Sequence, residues 1–221
     1  MKKKHLELFS GTHSFGKVSS KMGFDVISLD RDLNSSCPFG SGYKSKNHIQ
    51  KDIFDWDYKQ YPPNYFYLIT ASPVCLWWSS LRFSHIGRKL KRYKEPLTRE
   101  KIEEEIEIYG VPMIEKVFEI LDYFKPKYYV IENPQTGQMK YYINDLIPYY
   151  DIDYSEYGFN YKKRTRFWTN IEGFNPKLSK LKKHKYSIGH NRGYIYQTNK
   201  QIFNYRIPEK LIEELFNKMI L

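Results

Sequence analysis

The chain has 221 residues, of which 41% are apolar, 18% aromatic and 28% charged, and its formal net charge is +11. That aromatic content excludes a disordered polyampholyte, and no apolar run approaches the roughly 18 residues of a membrane span. Two cysteines, Cys37 and Cys75, cannot build a disulfide framework, no Cys/His cluster has zinc spacing, and the lysine-rich start is no secretory signal. The expectation is a soluble, intracellular, single-domain protein that binds no structural metal and no membrane.

Residues 5–9 read as a short buried strand, ended by the turn Ser10-Gly11-Thr12. A helix over 14–22 follows, with Gly23 as its left-handed cap. Residues 25–29 form a second strand closing with Asp30, and 33–47 read as a long loop. A strand over 65–70 delivers the chain into Ala71-Ser72-Pro73-Val74-Cys75, after which a basic stretch reads as loop with helical pieces. Residues 98–124 turn helical, with Thr98 as N-cap and a break or kink at Gly110 and Pro112. Within them Ile114, Val117, Phe118 and Leu121 share one apolar face. Residues 127–131 make another strand, ending at Glu132-Asn133-Pro134. Residues 150–157 and 165–169 look like a closing antiparallel pair. Pro208 opens a last amphipathic helix carrying Ile212, Leu215, Phe216 and Met219. Strands alternating with helices predict an α/β fold, a mostly parallel sheet with helices on both faces.

The positive charge sits in two blocks. Residues 160–200 carry eleven Lys/Arg against one acid, and 82–99 carry seven against Glu95. Such blocks attract phosphate backbones, although a lysine coat that merely aids solubility has the same composition. Four places at strand ends could carry chemistry. Gly11 lets the backbone approach a ligand, and Asp30, about twenty residues on, is placed for the hydroxyls of a ribose, unless the pair is an ordinary tight turn and a surface aspartate. Cys75 follows a strand in an aromatic, polar loop, an odd setting for an inert core cysteine, and Arg82 could lower its pKa. Glu132 at a sheet edge faces ligand or is a solvated turn carboxylate. In Lys162-Lys163-Arg164-Thr165-Arg166 the alternate residues from Arg164 present guanidinium groups on one strand face, for binding or to protect a sheet edge.

In this order the four motifs resemble the DNA (cytosine-5) methyltransferases, above all small phage- or virus-type members. The resemblance covers roughly residues 5 to 170 and includes Phe9-Ser-Gly-Thr-x-Ser-Phe-Gly16, Ile131-Glu-Asn-Pro134 and Trp168-Thr-Asn170. It implies a class I S-adenosylmethionine-dependent methyltransferase fold, Rossmann-like, with a seven-strand sheet. It implies methyl transfer from S-adenosylmethionine to carbon 5 of a flipped-out cytosine, leaving S-adenosylhomocysteine. Cys75 matches the thiolate that adds to carbon 6, and Glu132 the donor at N3. Arg164 and Arg166 match the groups at O2 and the flanking phosphates. Phe9, Gly11, Thr12, Asp30 and Asp52 match the cofactor pocket, with Asp52 at the adenine amino group. Trp77 or Trp78 could stack in the space the base vacates, or either could be core.

The chain also departs from the family pattern. His13 stands where a further glycine is common, and Val74 where a second proline is usual. The residue before the Arg-x-Arg pair is Lys162 if Arg164 and Arg166 align, or Tyr161 if Lys163 and Thr165 do. Some 35 residues, about 170–205, are too few for a separate recognition domain. Backbone contacts through Arg82, Lys162, Lys163 and Arg192 should therefore dominate binding to DNA, expected to be double-stranded, with Tyr194, Tyr196 and Gln197 left for base readout. The protein should act as a monomer without an obligate protein partner. The same reaction on RNA such as tRNA, or a scaffold that binds nucleic acid without turnover, are the competing readings.

Overall fold

The computed structural model describes residues 2–32, 46–143, 145, 147–159, 161–177 and 205–219. Its strands are β1 (Lys4–Leu8), β2 (Asp25–Asp30), β3 (Asn47–Gln50), β4 (Leu68–Ala71), β5 (Tyr128–Pro134), β6 (Tyr149–Asp153) and β7 (Arg164–Thr169). They form one seven-stranded sheet in the order β3-β2-β1-β4-β5-β7-β6. β1 to β5 run parallel, while β7 lies antiparallel to both β5 and β6. The sheet is thus mixed, and β7 is its one reversed strand.

Among the described residues four α-helices cover the sheet: α1 (Ser14–Lys21), α2 (Arg99–Glu105), α3 (Val111–Phe124) and α4 (Glu209–Phe216). Strand side chains alternate between the two faces. Leu68, Val130 and Phe167 pack with Phe15 and Val18 of α1 and with Leu211 and Leu215 of α4. Their neighbours Ile69, Ile131 and Trp168 belong to the opposite core, with Ile102 of α2 and Ile114, Val117 and Ile120 of α3. The chain builds outward from β1 to β3, then crosses to β4 on the other side of β1. In such sheets the crevice at the carboxyl ends of the two strands flanking that switch is the usual ligand site. Here those strands are β1 and β4, and the turns that follow them carry Gly11 and Cys75.

Several local expectations are met. Thr98 caps α2, its hydroxyl accepting from the Lys101 N–H at 3.1 Å, and Gly23 takes φ +89° after α1. The kink at Gly110 and Pro112 is a π-helical turn over Ile106–Gly110 joining α2 to α3. Pro112 has no N–H to give the preceding turn, and the wider turn absorbs that loss. Gly110 is needed there because a Cβ would lie 3.0 Å from the Trp78 ring.

Other expectations need correction. β3 was unforeseen, since residues up to 47 read as loop. β5 runs on through Glu132-Asn133-Pro134, so these residues lie within the strand rather than beyond it. Antiparallel pairing with β7 extends it: Asn133 is opposite Arg166 and Pro134 opposite Thr165. β6 stops at Asp153, and Tyr154–Tyr157 is a 3-10 turn.

Candidate active site

Three residues with positive φ sharply bend the turn after β1: Phe9 (52°), Gly11 (45°) and His13 (53°). Only glycine adopts such a conformation without steric cost. The Gly11 N–H donates to Asp30 Oδ2 at 2.8 Å, and Asp32 N–H to Asp30 Oδ1 at 2.9 Å. Each carboxylate oxygen of Asp30 therefore keeps a lone pair for a hydroxyl ligand. Asp52, just past β3, accepts from Phe54 N–H at 3.2 Å and lies 3.6 Å from the Arg31 guanidinium. Ser10 has a buried hydroxyl oxygen with no partner, and Thr12 shares a hydrogen bond with Ser14 at 2.8 Å. Behind the turn, buried Glu7 accepts from the Gly16 N–H (2.8 Å) and Ser28 Oγ (3.0 Å), pinning the start of α1 to the sheet. Two acidic groups and a glycine turn with an orphaned hydroxyl fit a nucleoside carrying a polar tail.

The loop after β4 carries Cys75 and is anchored at both ends. Asn133 Nδ2 donates to the Pro73 carbonyl at 2.9 Å, tying the loop to β5. Further along, the Gln138 N–H donates to the Trp78 carbonyl at 2.7 Å, and Ser80 Oγ to the Thr136 carbonyl. Gly137 has no room for a side chain, since a Cβ would lie 3.0 Å from the Pro134 oxygen and 3.1 Å from that of Trp78. Glu132 is buried beside this loop and accepts from the Tyr154 hydroxyl at 3.2 Å. Lys163 Nζ lies over the Tyr154 ring, 4.7 Å from its centre.

Electrostatics join these groups. Burial pushes the Cys75 thiol up, Glu132 pushes it further, and Lys163 opposes both. Burial pushes Lys163 down, against the pull of Glu132 and Cys75. Cys75 thus sits beside the Glu132 carboxyl and the Lys163 side-chain nitrogen, and burial works against charge on both Cys75 and Lys163. The chain after 204 returns to the same place. Tyr205 is close enough to Cys75 to feel its charge, and the Ile207 N–H donates to Ser14 Oγ at 3.1 Å.

The arginines sit elsewhere. In the β5–β7 register Glu132 is opposite Phe167, and Asn133 is opposite Arg166. Directly opposed residues share a face, so Lys163 and Thr165 point to the side of Glu132, while Arg164 and Arg166 point to the other. Arg166 makes a bidentate pair with Asp151 (2.6 and 2.8 Å) and lies 3.6 Å over the Tyr149 ring. Arg164 is exposed. The structure therefore brings Cys75, Glu132 and Lys163 together and leaves Arg164 and Arg166 out.

Arg82 is a second correction. Expected to acidify Cys75 and hold nucleic acid, it is instead buried and paired with buried Glu105, and it donates to the Trp77 carbonyl at 3.1 Å. Neither tryptophan is available for stacking in a vacated base site: Trp78 is fully buried, and Trp77 stacks on Tyr109 at 4.5 Å beneath the Arg92 guanidinium. Lys162 is half-buried. Cys37, Arg192, Tyr194, Tyr196 and Gln197 lie outside the described residues. Among the described residues no group of His, Cys, Asp and Glu could hold a metal ion, and no helix is long and apolar enough to cross a membrane. Tyr154 and Tyr205 are site residues that sequence reasoning did not assign, while Lys163 was expected to contact the nucleic-acid backbone and Asn133 was given no role of its own.

No family model matches the chain. It is 38% identical over 175 residues to the "Probable DNA (cytosine-5)-methyltransferase" of frog virus 3 (isolate Goorha), a match covering 78% of this chain and 72% of that protein. Among solved structures, the Entamoeba histolytica methyltransferase EhMeth superposes with a TM-score of 0.54 at 14% identity, covering 81% of this chain and 56% of that one. The S. pombe Dnmt2 methyltransferase gives a TM-score of 0.43 at 14% identity, with 85% and 52% covered. The chain spans about half the length of these two structures.

Proposed function

This chain belongs to the DNA (cytosine-5)-methyltransferase family, and on that premise we propose that it methylates carbon 5 of cytosine in DNA through a covalent adduct with Cys75. The observation that carries the reading is the meeting of Cys75, Glu132 and Lys163 at the carboxyl edge of the sheet, beside the Gly11–Asp30 crevice. S-adenosylmethionine, the family's cofactor, supplies an electrophilic methyl group on a sulfonium centre. Asp30 would accept from its ribose hydroxyls and Asp52 from its adenine amino group, with Phe9, Gly11 and Thr12 forming the floor.

Carbon 5 of cytosine is a poor nucleophile. Addition of the Cys75 thiolate to carbon 6 makes it enamine-like, and protonated Glu132 donating at N3 offsets the charge that builds on the ring. Once carbon 5 is methylated, loss of its proton expels Cys75 and restores the aromatic ring. Tyr154 orients the Glu132 carboxyl, and Asn133 holds the loop that carries the thiol. The base has to leave the stack to reach them. We read residues 1–221 as one methyltransferase domain in which a thin basic segment, about 170–205, serves for recognition. Exposed Arg88, Lys89, Lys91 and Lys94 would add backbone contacts. The proposal is for double-stranded DNA bound by a monomer inside a cell.

DNA containing 5-fluorocytosine tests the reading. Fluorine occupies the position of the proton that elimination must remove, so Cys75 stays bonded to carbon 6. With cofactor present, wild type should form a complex that survives denaturation, and Cys75→Ala should form none. Trapping on fluorinated RNA alone would move the substrate to RNA. Trapping on neither would leave a scaffold that binds without turnover.

A further inference from the structure

We propose that Lys163 is the positioning cation of the catalytic site, its ammonium supporting the Cys75 thiolate beside Glu132, a task neither arginine of β7 performs. The inference deepens the methyltransferase reading and rests on it. Its ground is the register of β7. Counting back from Phe167, which is opposite Glu132, residues 165 and 163 fall on the same face, and Arg164 and Arg166 fall on the other. Arg166 is already engaged by both oxygens of Asp151.

The thiol and its neighbours draw on four further segments: Glu132 from β5, Lys163 before β7 and Tyr205 ahead of α4 act on Cys75, and Tyr154 after β6 contacts both Glu132 and Lys163. Of these, Lys163 alone brings positive charge. Glu132 and burial both disfavour the thiolate, so removing Lys163 leaves these two opposing influences and only a backbone hydrogen bond to support it. Lysine and arginine also differ here. A buried ammonium is a point charge that can lose its proton, whereas a guanidinium keeps its charge at every working pH.

Thiol reactivity without nucleic acid or cofactor reads this directly. In a Cys37→Ser background, Cys75 is the sole thiol. Its thiolate displaces iodide from iodoacetamide, forming a C–S bond, at a rate set by the ionised fraction. Following the intact mass across a pH series, Lys163→Met should raise the midpoint by roughly one unit and slow alkylation at neutral pH about tenfold. Lys163→Arg should return the rate to near wild type, and Arg164→Ala should leave it unchanged. Binding of S-adenosylhomocysteine by calorimetry confirms that each variant is folded, and Lys163→Gln replaces Lys163→Met if the latter is not. Equal midpoints in Lys163→Met and wild type, or an equal slowing in Arg164→Ala, would overturn the proposal. Because alkylation needs no methyl transfer, its outcome is independent of whether the protein methylates DNA.

Discussion

Replacing Arg82 by Met separates a structural arginine from one that grips nucleic acid. The side chains of Arg82 and Glu105 are 9% and 7% exposed, so the substitution removes one partner and leaves a buried carboxylate. Breaking a buried pair in this way costs roughly 3–5 kcal/mol. Glu105 keeps the Tyr93 hydroxyl at 2.8 Å and the half-exposed Arg92 guanidinium at 3.4 Å, which lowers the expected loss to about 2–3 kcal/mol. For a chain of this size that is a fall in Tm of roughly 4–12 °C. Calorimetric melting gives the shift, and the double variant Arg82→Met/Glu105→Gln should recover part of it, because no buried charge is then stranded. The salt dependence of DNA binding should be unchanged at a temperature where the variant is folded. An unaltered Tm, with a log–log salt slope smaller by about one, would show that Arg82 contacts phosphate and that the buried pair is misassigned.

Other consequences follow from the same contacts. His5 is fully buried between Ser19 (2.6 Å) and Thr70 (2.9 Å), and burial pushes its pKa down to about 4. The unfolded chain takes up a proton near pH 6.5 and the folded chain does not, so stability is flat above that value and falls as pH drops from about 6.5 to 4. The loss totals about 3 kcal/mol, and urea midpoints for His5→Gln should lack it. Asn133→Ala removes the bond to the Pro73 carbonyl, destabilising by about 1–3 kcal/mol. It should lower kcat far more than it weakens S-adenosylhomocysteine binding, and a parallel loss of both would contradict its role as anchor of the Cys75 loop. If Arg88, Lys89, Lys91 and Lys94 all meet phosphates, replacing the four by Ala should reduce the log–log salt slope by roughly 3.6. An unchanged slope would move the DNA to another surface.

What the sequence disclosed followed from local rules. Apolar alternation exposed β1, β2, β4 and the start of β5, while Thr98 and Gly23 marked their helix ends through capping chemistry. Gly11 and Cys75 were visible because both lie directly beyond a strand. The rest depended on partners far along the chain. β3, Asn-His-Ile-Gln, has no apolar period and is a strand because β2 pairs with it. Arg82 reads as surface charge until Glu105, on a helix 23 residues later, folds over it. In Lys162-Lys163-Arg164-Thr165-Arg166 both phases carry positive charge, Lys162, Arg164 and Arg166 in one and Lys163 in the other, so composition could not say which phase faces Cys75. That choice is made by the register of β7 against β5, and a shift of one residue would reverse it.

The most direct measurement of the central claim is the identity of the methylated product. Wild type and Cys75→Ala protein would each be incubated with isotopically labelled S-adenosylmethionine and double-stranded DNA, with tRNA in parallel. The polymers would then be digested to nucleosides and analysed by mass spectrometry. The account predicts labelled 5-methyldeoxycytidine from wild type alone. Label on the exocyclic nitrogen of cytosine, or 5-methyldeoxycytidine formed equally well by Cys75→Ala, would contradict it.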